Sequence, residues 1–415
     1  MNEFTYRKNE LSCEGVPLRK LAEKFGTPLY VYSQGHILGQ FQALDRALGR
    51  LDHLICFAMK SNSNLAVLRL LANAGAGFDI VSGGELYRVI QAGGDPRRCV
   101  FSGVGKTREE IAYALRQGIY CFNVESEPEL RAISEVASKM RRRAPVSLRV
   151  NPGVDPETHH YISTGKHESK FGIALERAFG VYREARRLPG VEIRGVQMHI
   201  GSQITTTAPF VLAVKKLLPL VEQVRALAAE TLRFVDIGGG LGIRYRDQKP
   251  PTAEEYASSV VPHLEKLGLQ VLLEPGRFIV GNAGALVTQV LYVKRTPVKN
   301  FVIVDAAMND LIRPSLYESY HEILPVGATR GRKMKADVVG PVCESGDFLA
   351  QGRQLPAVKE GALLAVMSAG AYGMAMSSNY NARPRAAEVL VNGSRYAVVR
   401  RREEWKDLVR GETAG

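Results

Sequence analysis

Eight short apolar runs, each stopped by a polar residue or a glycine, recur along the first two thirds of this chain. They are Leu54–Ala58, Phe78–Val81, Val100–Ser102, Ile119–Val124, Val146–Val150, Ile193–Ile200, Phe234–Ile237 and Val271–Leu273. Runs this short and rich in β-branched residues read as buried strands. Segments of helical character lie between them, among them Leu65–Ala74, Glu85–Ala92, Glu109–Gln117, Glu127–Lys139, Pro209–Leu232 and Glu254–Leu267. Eight strands alternating with helices over about 220 residues have the size and rhythm of an α/β chain closed as a (β/α)8 TIM barrel. A doubly wound sheet is the alternative, but it rarely needs so many strands.

What ends each run is more telling than the run. In order come Lys60, Asp79, Ser102, Asn123 with Glu125, Asn151, His199, the turn Gly238-Gly239-Gly240, and Glu274. In a barrel all of these converge on the C-terminal rim, where barrel enzymes place their chemistry. Helix capping explains any one of them, but not eight in phase.

After Glu274-Pro275-Gly276-Arg277 the texture changes. The uncharged run Phe278–Val293 is followed by Phe301–Val304, Ala336–Val339, Leu363–Ser368, Glu388–Val391 and Arg395–Val399, with no long amphipathic helix between them. The expected division is a barrel over residues 35–277 and a β-sandwich or β-barrel domain over 278–415. Residues 1–34, carrying the extended segment Leu29–Tyr32, are expected to join the β domain.

Composition narrows the classes. With 45% hydrophobic and 23% charged residues, the chain is an ordinary globular one, neither disordered nor fibrous. Lys and Arg number 55 against 42 Asp and Glu, a net +13, but the excess is scattered beyond small clusters at Lys139–Arg143, Arg330–Lys335 and Arg400–Arg402. Without interleaved aromatics these read as solvated surface, so no nucleic-acid partner is expected. Five scattered cysteines without a CxxC favour a reducing compartment. Met1–Glu10 lacks the apolar core of a signal peptide, and the uncharged stretch Gly361–Ala382 is too polar to span a bilayer. A cytoplasmic protein with no membrane partner is expected.

Two glycine patterns mislead. Gly103-Val104-Gly105-Lys106-Thr107 has Val100 where a P-loop needs its first glycine, and Gly238–Gly242 has Ile243 where a dinucleotide fingerprint needs its last. His159, His160 and His167 lack a metal-ligand register, so no metal is expected.

Three features remain. Lys60 ends the first strand among apolar neighbours, where desolvation favours a neutral, nucleophilic amine able to form a Schiff base. Gly238, Gly239 and Gly240 bring backbone without side chains to one point, a cradle for an anion such as phosphate. Glu274 places an acid at the end of the last strand, with Arg277 behind it. Lysine, cradle and acid together suggest pyridoxal 5'-phosphate, the acid pairing with the pyridine nitrogen. His199 can stack on the ring.

These blocks, in order and spacing, resemble the bacterial diaminopimelate decarboxylase family of fold-type III, alanine-racemase-like enzymes. The resemblance is carried by Gly26–Tyr32, Phe57-Ala58-Met59-Lys60, Asp79–Glu85, Ser169-Lys170-Phe171-Gly172, His199–Gln203, Asp236–Gly242, Glu274–Arg277, Arg313–Tyr317, Gly340–Asp347 and Gly370–Gly373. Relatives acting on ornithine, arginine or carboxynorspermidine share several blocks. The Arg313 and Tyr317 pair, with Glu344 after Cys343, marks the diaminopimelate branch.

The resemblance implies cofactor contacts from Lys60, Asp79, His199, Ser202, Gly238, Gly239, Gly240, Glu274, Gly276, Arg277 and Tyr372. It implies substrate contacts from Arg277, Arg313, Tyr317, Glu344 and Tyr372, and catalytic roles for Lys60, His199, Glu274 and Cys343. Cys343 is the implied proton donor, supplied across a homodimer interface. The implied reaction converts meso-diaminopimelate into L-lysine and carbon dioxide. A decarboxylase of another basic amino acid, or a non-catalytic pyridoxal phosphate-binding regulator, is the alternative.

Overall fold

A computed structural model describes residues 3–155, 170–328 and 332–415. Within these the chain forms two compact units, residues 40–243 with 249–278, and residues 1–39 with 244–248 and 279–415. The histidines His159, His160 and His167, together with Ser169 and Arg330, lie outside the described residues.

The first unit is a closed barrel of eight parallel strands: His53–Ala58, Gly77–Ile80, Cys99–Phe101, Cys121–Val124, Ala144–Asn151, Val191–Met198, Phe234–Asp236 and Gln270–Leu273. Each pairs with the next, and the eighth closes on the first through Leu272 opposite Leu54. All eight strands expected from the sequence are present, so the fold is a TIM barrel. Closure leaves no sheet edge, which is why such short strands suffice.

The connecting helices start at residues whose side chains cap them. Asn64, Ser82, Thr107, Ser126 and Thr252 each accept a backbone N–H of the helix that follows. The P-loop lookalike is one of these starts. Thr107 forms a reciprocal capping box with Glu110, and buried Lys106 donates to Glu129 Oε1 at 2.7 Å and to the carbonyls of Gly103 and Asn123. That lysine is committed to structure.

The second unit is built on a sheet of antiparallel and parallel pairs. The strand Leu29–Ser33 lies between Gly284–Arg295, antiparallel, and Ala387–Asn392, parallel. Outward from these run Asn300–Val304, Lys333–Val339 and Phe348–Pro356 on one side and Arg395–Arg400 on the other. A small antiparallel sheet of Phe4–Arg7, Glu10–Cys13 and Val16–Pro17 shares its apolar core, with Leu11, Leu29, Val287 and Val389 all buried.

Two details differ from the sequence expectation. The uncharged run Phe278–Val293 is broken into a short helix, Arg277–Val280, and the strand from Gly284. The strand Phe348–Pro356 is unannounced because its pairing slips at Gly352, whose φ of 57° and N–H donated to Asp337 Oδ1 form an irregular step. A slipped register breaks the alternation by which strands are read.

Candidate active site

Side chains from the rim of the barrel unit meet at one end. The first strand stops in a single tight turn, Met59–Ser61, which carries Lys60. Its Nζ pairs with Asp79 Oδ2 from the second strand. Asp79 is fully buried, and its other oxygen, Oδ1, has no hydrogen-bond partner among the described residues.

Glu274 lies at the end of the eighth strand, buried. Its Oε1 accepts from Asn123 Nδ2 at 3.0 Å and from Ser102 Oγ at 3.4 Å, and its Oε2 accepts from Gln197 Nε2 at 3.3 Å. Asn123 is held in turn by Ser147 Oγ–H, which donates to its Oδ1 at 2.5 Å. The network draws on the third, fourth, fifth, sixth and eighth strands. Burial, then the nearby charges of Asp236 and Asp79, push the Glu274 carboxyl well above its usual range. Asp236, buried on the seventh strand, is pushed to about 6, mainly by burial.

His199 follows the sixth strand. Burial, with Arg149 and Lys60 nearby, drives its pKa well below normal, so the ring is neutral. Gly239 N–H donates to its Nδ1 at 3.1 Å, which leaves the ring proton on Nε2. A neutral, oriented imidazole presents a flat face without adding charge.

In the glycine turn two of the three N–H groups are engaged within the protein. Gly238 N–H is spent on Asp236 Oδ1 at 2.9 Å and Gly239 N–H on His199. Of the three, the N–H of Gly240 has no acceptor among the described residues, and Gly276 N–H behind Glu274 is likewise without one. The glycines are required mainly because neighbouring strand ends crowd them. A Cβ on Gly239 would stand 2.1 Å from the Glu274 carbonyl oxygen, and one on Gly240, at φ 106°, would stand 2.5 Å from that of Gly201. Arg277, buried, donates to Ser202 Oγ at 3.1 Å.

The unit therefore carries two kinds of unmet demand. The N–H groups of Gly240 and Gly276 need an acceptor, while Asp79 Oδ1 and Gln197 Oε1 are buried acceptors needing a donor among the described residues. A molecule with an anion at one end and a ring N–H at the other meets both, and pyridoxal phosphate is such a molecule.

Gln197 and Asp236 were not singled out as site residues from the sequence. Their signal was a polar residue inside an otherwise apolar barrel strand, in register with each other across the sixth and seventh strands. Glu125, by contrast, is a rim residue with a structural task. It pairs with Arg149 at 2.9 Å and accepts the N–H groups of Gly103 and Gly172.

In the second unit three of the expected substrate residues come together. Arg313 is buried, its guanidinium 5.7 Å from the ring centre of Tyr317, 5.9 Å from that of Tyr372 and 5.4 Å from that of Tyr245. Cys343 and Glu344 sit apart on an exposed turn. Asp347 holds that turn by accepting the N–H of Val342, and Glu344 Oε2 accepts from Tyr380 Oη at 3.1 Å. Cys343 is the exposed one of the five cysteines.

Residues 34–281 match the family described as pyridoxal-dependent decarboxylase, pyridoxal binding domain. A diaminopimelate decarboxylase of Pseudomonas aeruginosa is 54% identical, the alignment covering 100% of this chain and 99% of that one. The chain belongs to the diaminopimelate decarboxylase family. A crystal structure of diaminopimelate decarboxylase from Helicobacter pylori complexed with L-lysine superposes with a TM-score of 0.91 at 41% identity, covering 95% of this chain and 98% of that one. That of M. jannaschii, in co-complex with L-lysine, gives 0.94 at 36%, covering 100% and 98%. Membership in this family makes pyridoxal phosphate the cofactor, and the residues of the barrel rim fit it. For a diaminopimelate decarboxylase so built, Gly239→Ala is expected to weaken pyridoxal phosphate binding by about tenfold or more, because the eighth strand must shift. Fluorescence titration of the apo chain checks this, with circular dichroism showing the barrel intact.

Proposed function

We propose that this chain removes carbon dioxide from the D-configured centre of meso-diaminopimelate and releases L-lysine. The observation that carries this reading is near end-to-end identity with diaminopimelate decarboxylases, 54% over 413 residues, which spans both units. The presence of L-lysine in two relatives of the same fold supports it from the product side.

The cofactor, when bound, supplies a conjugated ring into which the electrons of the broken Cα–carboxylate bond can flow. Lys60 is the amine that would hold it covalently. His199, neutral, covers one ring face. Glu274 is the acid that would hold the ring nitrogen and stabilise positive charge there. Gly240 and Gly276 N–H groups, with Ser202, hold the phosphate, and Arg277 orders Ser202. Asp79, bonded to the Lys60 Nζ, fixes where that amine stands.

For the distal, unreacted amino-acid centre, Arg313 supplies the forked donors a carboxylate needs, Tyr317 adds a hydroxyl, and Glu344 takes the ammonium. Tyr372, its ring 5.9 Å from the Arg313 guanidinium, adds a second hydroxyl for the substrate. Cys343 donates the proton that replaces the carboxylate; a thiol suits this task, with a reference pKa of roughly 8.5. Its exposure, with that of Glu344, fits a turn delivered to the active site of a second subunit. The enzyme then works as a cytoplasmic homodimer.

The test is a panel of amino acids read by carbon dioxide release and product analysis. Turnover of meso-diaminopimelate to lysine is expected, with ornithine, arginine and carboxynorspermidine poor because each leaves Arg313 without its carboxylate. Preference for any of these would overturn the reading. Arg313→Ala is expected to raise KM for diaminopimelate about tenfold to a hundredfold, the cost of one charged hydrogen-bonding group, with cofactor affinity unchanged.

A further inference from the structure

Glu274 is pulled two ways. Donors from Asn123, Gln197 and Ser102 favour its carboxylate, while burial and neighbouring acids favour its acid form. Of those acids, Asp79 is neutralised by Lys60. Asp236 is not neutralised. It is fully buried, its Oδ1 accepts Gly238 N–H, and its Oδ2 has no donor among the described residues.

Of the nearby cations among the described residues, Lys60 is bonded to Asp79 and Arg149 to Glu125. Cys56, Cys121 and Tyr256, the remaining titratable groups against Asp236 and Glu274, have pKa values pushed up by burial and stay neutral. Asp236 pairs with Leu272 across the seventh and eighth strands, and Glu274 N–H donates to the Gly238 carbonyl at 2.9 Å, so the two buried carboxyl groups end adjacent strands side by side, with Lys60 bonded to Asp79 rather than to either. Such a pair holds one proton between them, because ionising both costs far more than ionising one. The glycine-turn amide favours charge on Asp236.

We propose that Asp236 is a positioning residue that holds a proton on Glu274 until the cofactor arrives, so that the ring nitrogen is protonated from inside the protein. The Glu274 O–H bond breaks, an N–H bond forms on the ring, and a carboxylate is left facing the charge it created. No proton is drawn from solvent. This rests on the reading that Glu274 faces the ring nitrogen.

Infrared difference spectroscopy of the full apo chain at pH 8, before and after adding pyridoxal phosphate, tests it. Wild type should show the carbonyl stretch of a protonated, buried carboxyl group, and the band should vanish when pyridoxal phosphate binds. Both Glu274→Gln and Asp236→Asn should lack it from the start, the second because Glu274 then ionises. Asp236→Ser serves where the asparagine variant does not fold.

Calorimetric titration with pyridoxal phosphate in buffers of different ionisation enthalpy gives an independent count. Asp236→Asn should take up about one more proton per site than wild type. A purely structural role for Asp236 would not move that number. If the band survives in Asp236→Asn but not in Glu274→Gln, this inference falls while the role of Glu274 stands. If the band is lost in Glu274→Gln yet is untouched by pyridoxal phosphate, the placement of Glu274 against the ring falls.

Discussion

Lys60→Ala is expected to lose turnover by at least about a thousandfold, because it removes the amine that holds the cofactor covalently. Borohydride treatment of the wild-type holoenzyme should fix the cofactor's mass to the peptide bearing Lys60, and the same treatment of the variant should fix none. Attachment at another lysine would remove Lys60 from its role.

The substitution also has a folding consequence that follows from Asp79. That carboxylate is fully buried and loses the cation bonded to Oδ2, while Oδ1 already lacks a partner. An unpaired buried carboxylate costs several kcal/mol when partner and group are both dry. Lys60 keeps 38% of its side chain exposed, so solvent tempers the loss to about 1–3 kcal/mol. Lys60→Ala with Asp79→Asn should recover the stability and none of the turnover.

The barrel was legible because its signal is redundant. Eight buried strands must each read as an apolar run, and each rim residue sits at the step where the run ends. The same logic puts Lys60, Asp79, His199 and Glu274 at the ends of barrel strands, where the structure has them. It could not say which rim residues serve the fold. Glu125 and Lys106 look like chemistry in one dimension and are committed to Arg149 and Glu129 in three.

Nor could it see Asp236 and Gln197 acting on Glu274. Their relation is one of register between strands that lie tens of residues apart in sequence. The glycine turn is legible as a place where backbone comes close, but not as to which neighbour crowds it. Local sequence reports the need for a missing Cβ, but only packing shows that the neighbour is the carbonyl of Glu274. In the second unit, the Arg313, Tyr317 and Tyr372 cluster was reachable only through family resemblance, since its members come from separate, irregular segments.

Glu274→Gln should separate function from stability in opposite directions. Glutamine keeps the size of the side chain and can still meet Asn123 and Ser102, but it can neither donate a proton to the ring nitrogen nor face it as an anion. Removing one such electrostatic group costs about a hundredfold to a thousandfold in kcat. The apo variant, however, should be the more stable protein, by roughly a few degrees in Tm at pH 8.

The sign follows from the shift. Burial and the Asp236 and Asp79 charges raise the folded pKa of Glu274, so from the usual carboxyl range upward the folded chain keeps a proton that the unfolded chain has released. That linkage makes stability fall as pH rises across this window, and glutamine abolishes it. Thermal melts from pH 5 to pH 8 should therefore show a shallower decline for Glu274→Gln than for wild type. Parallel curves would mean that Glu274 is already ionised in the apo chain, held so by its three donors, and that burial at the barrel mouth is weaker than its geometry indicates.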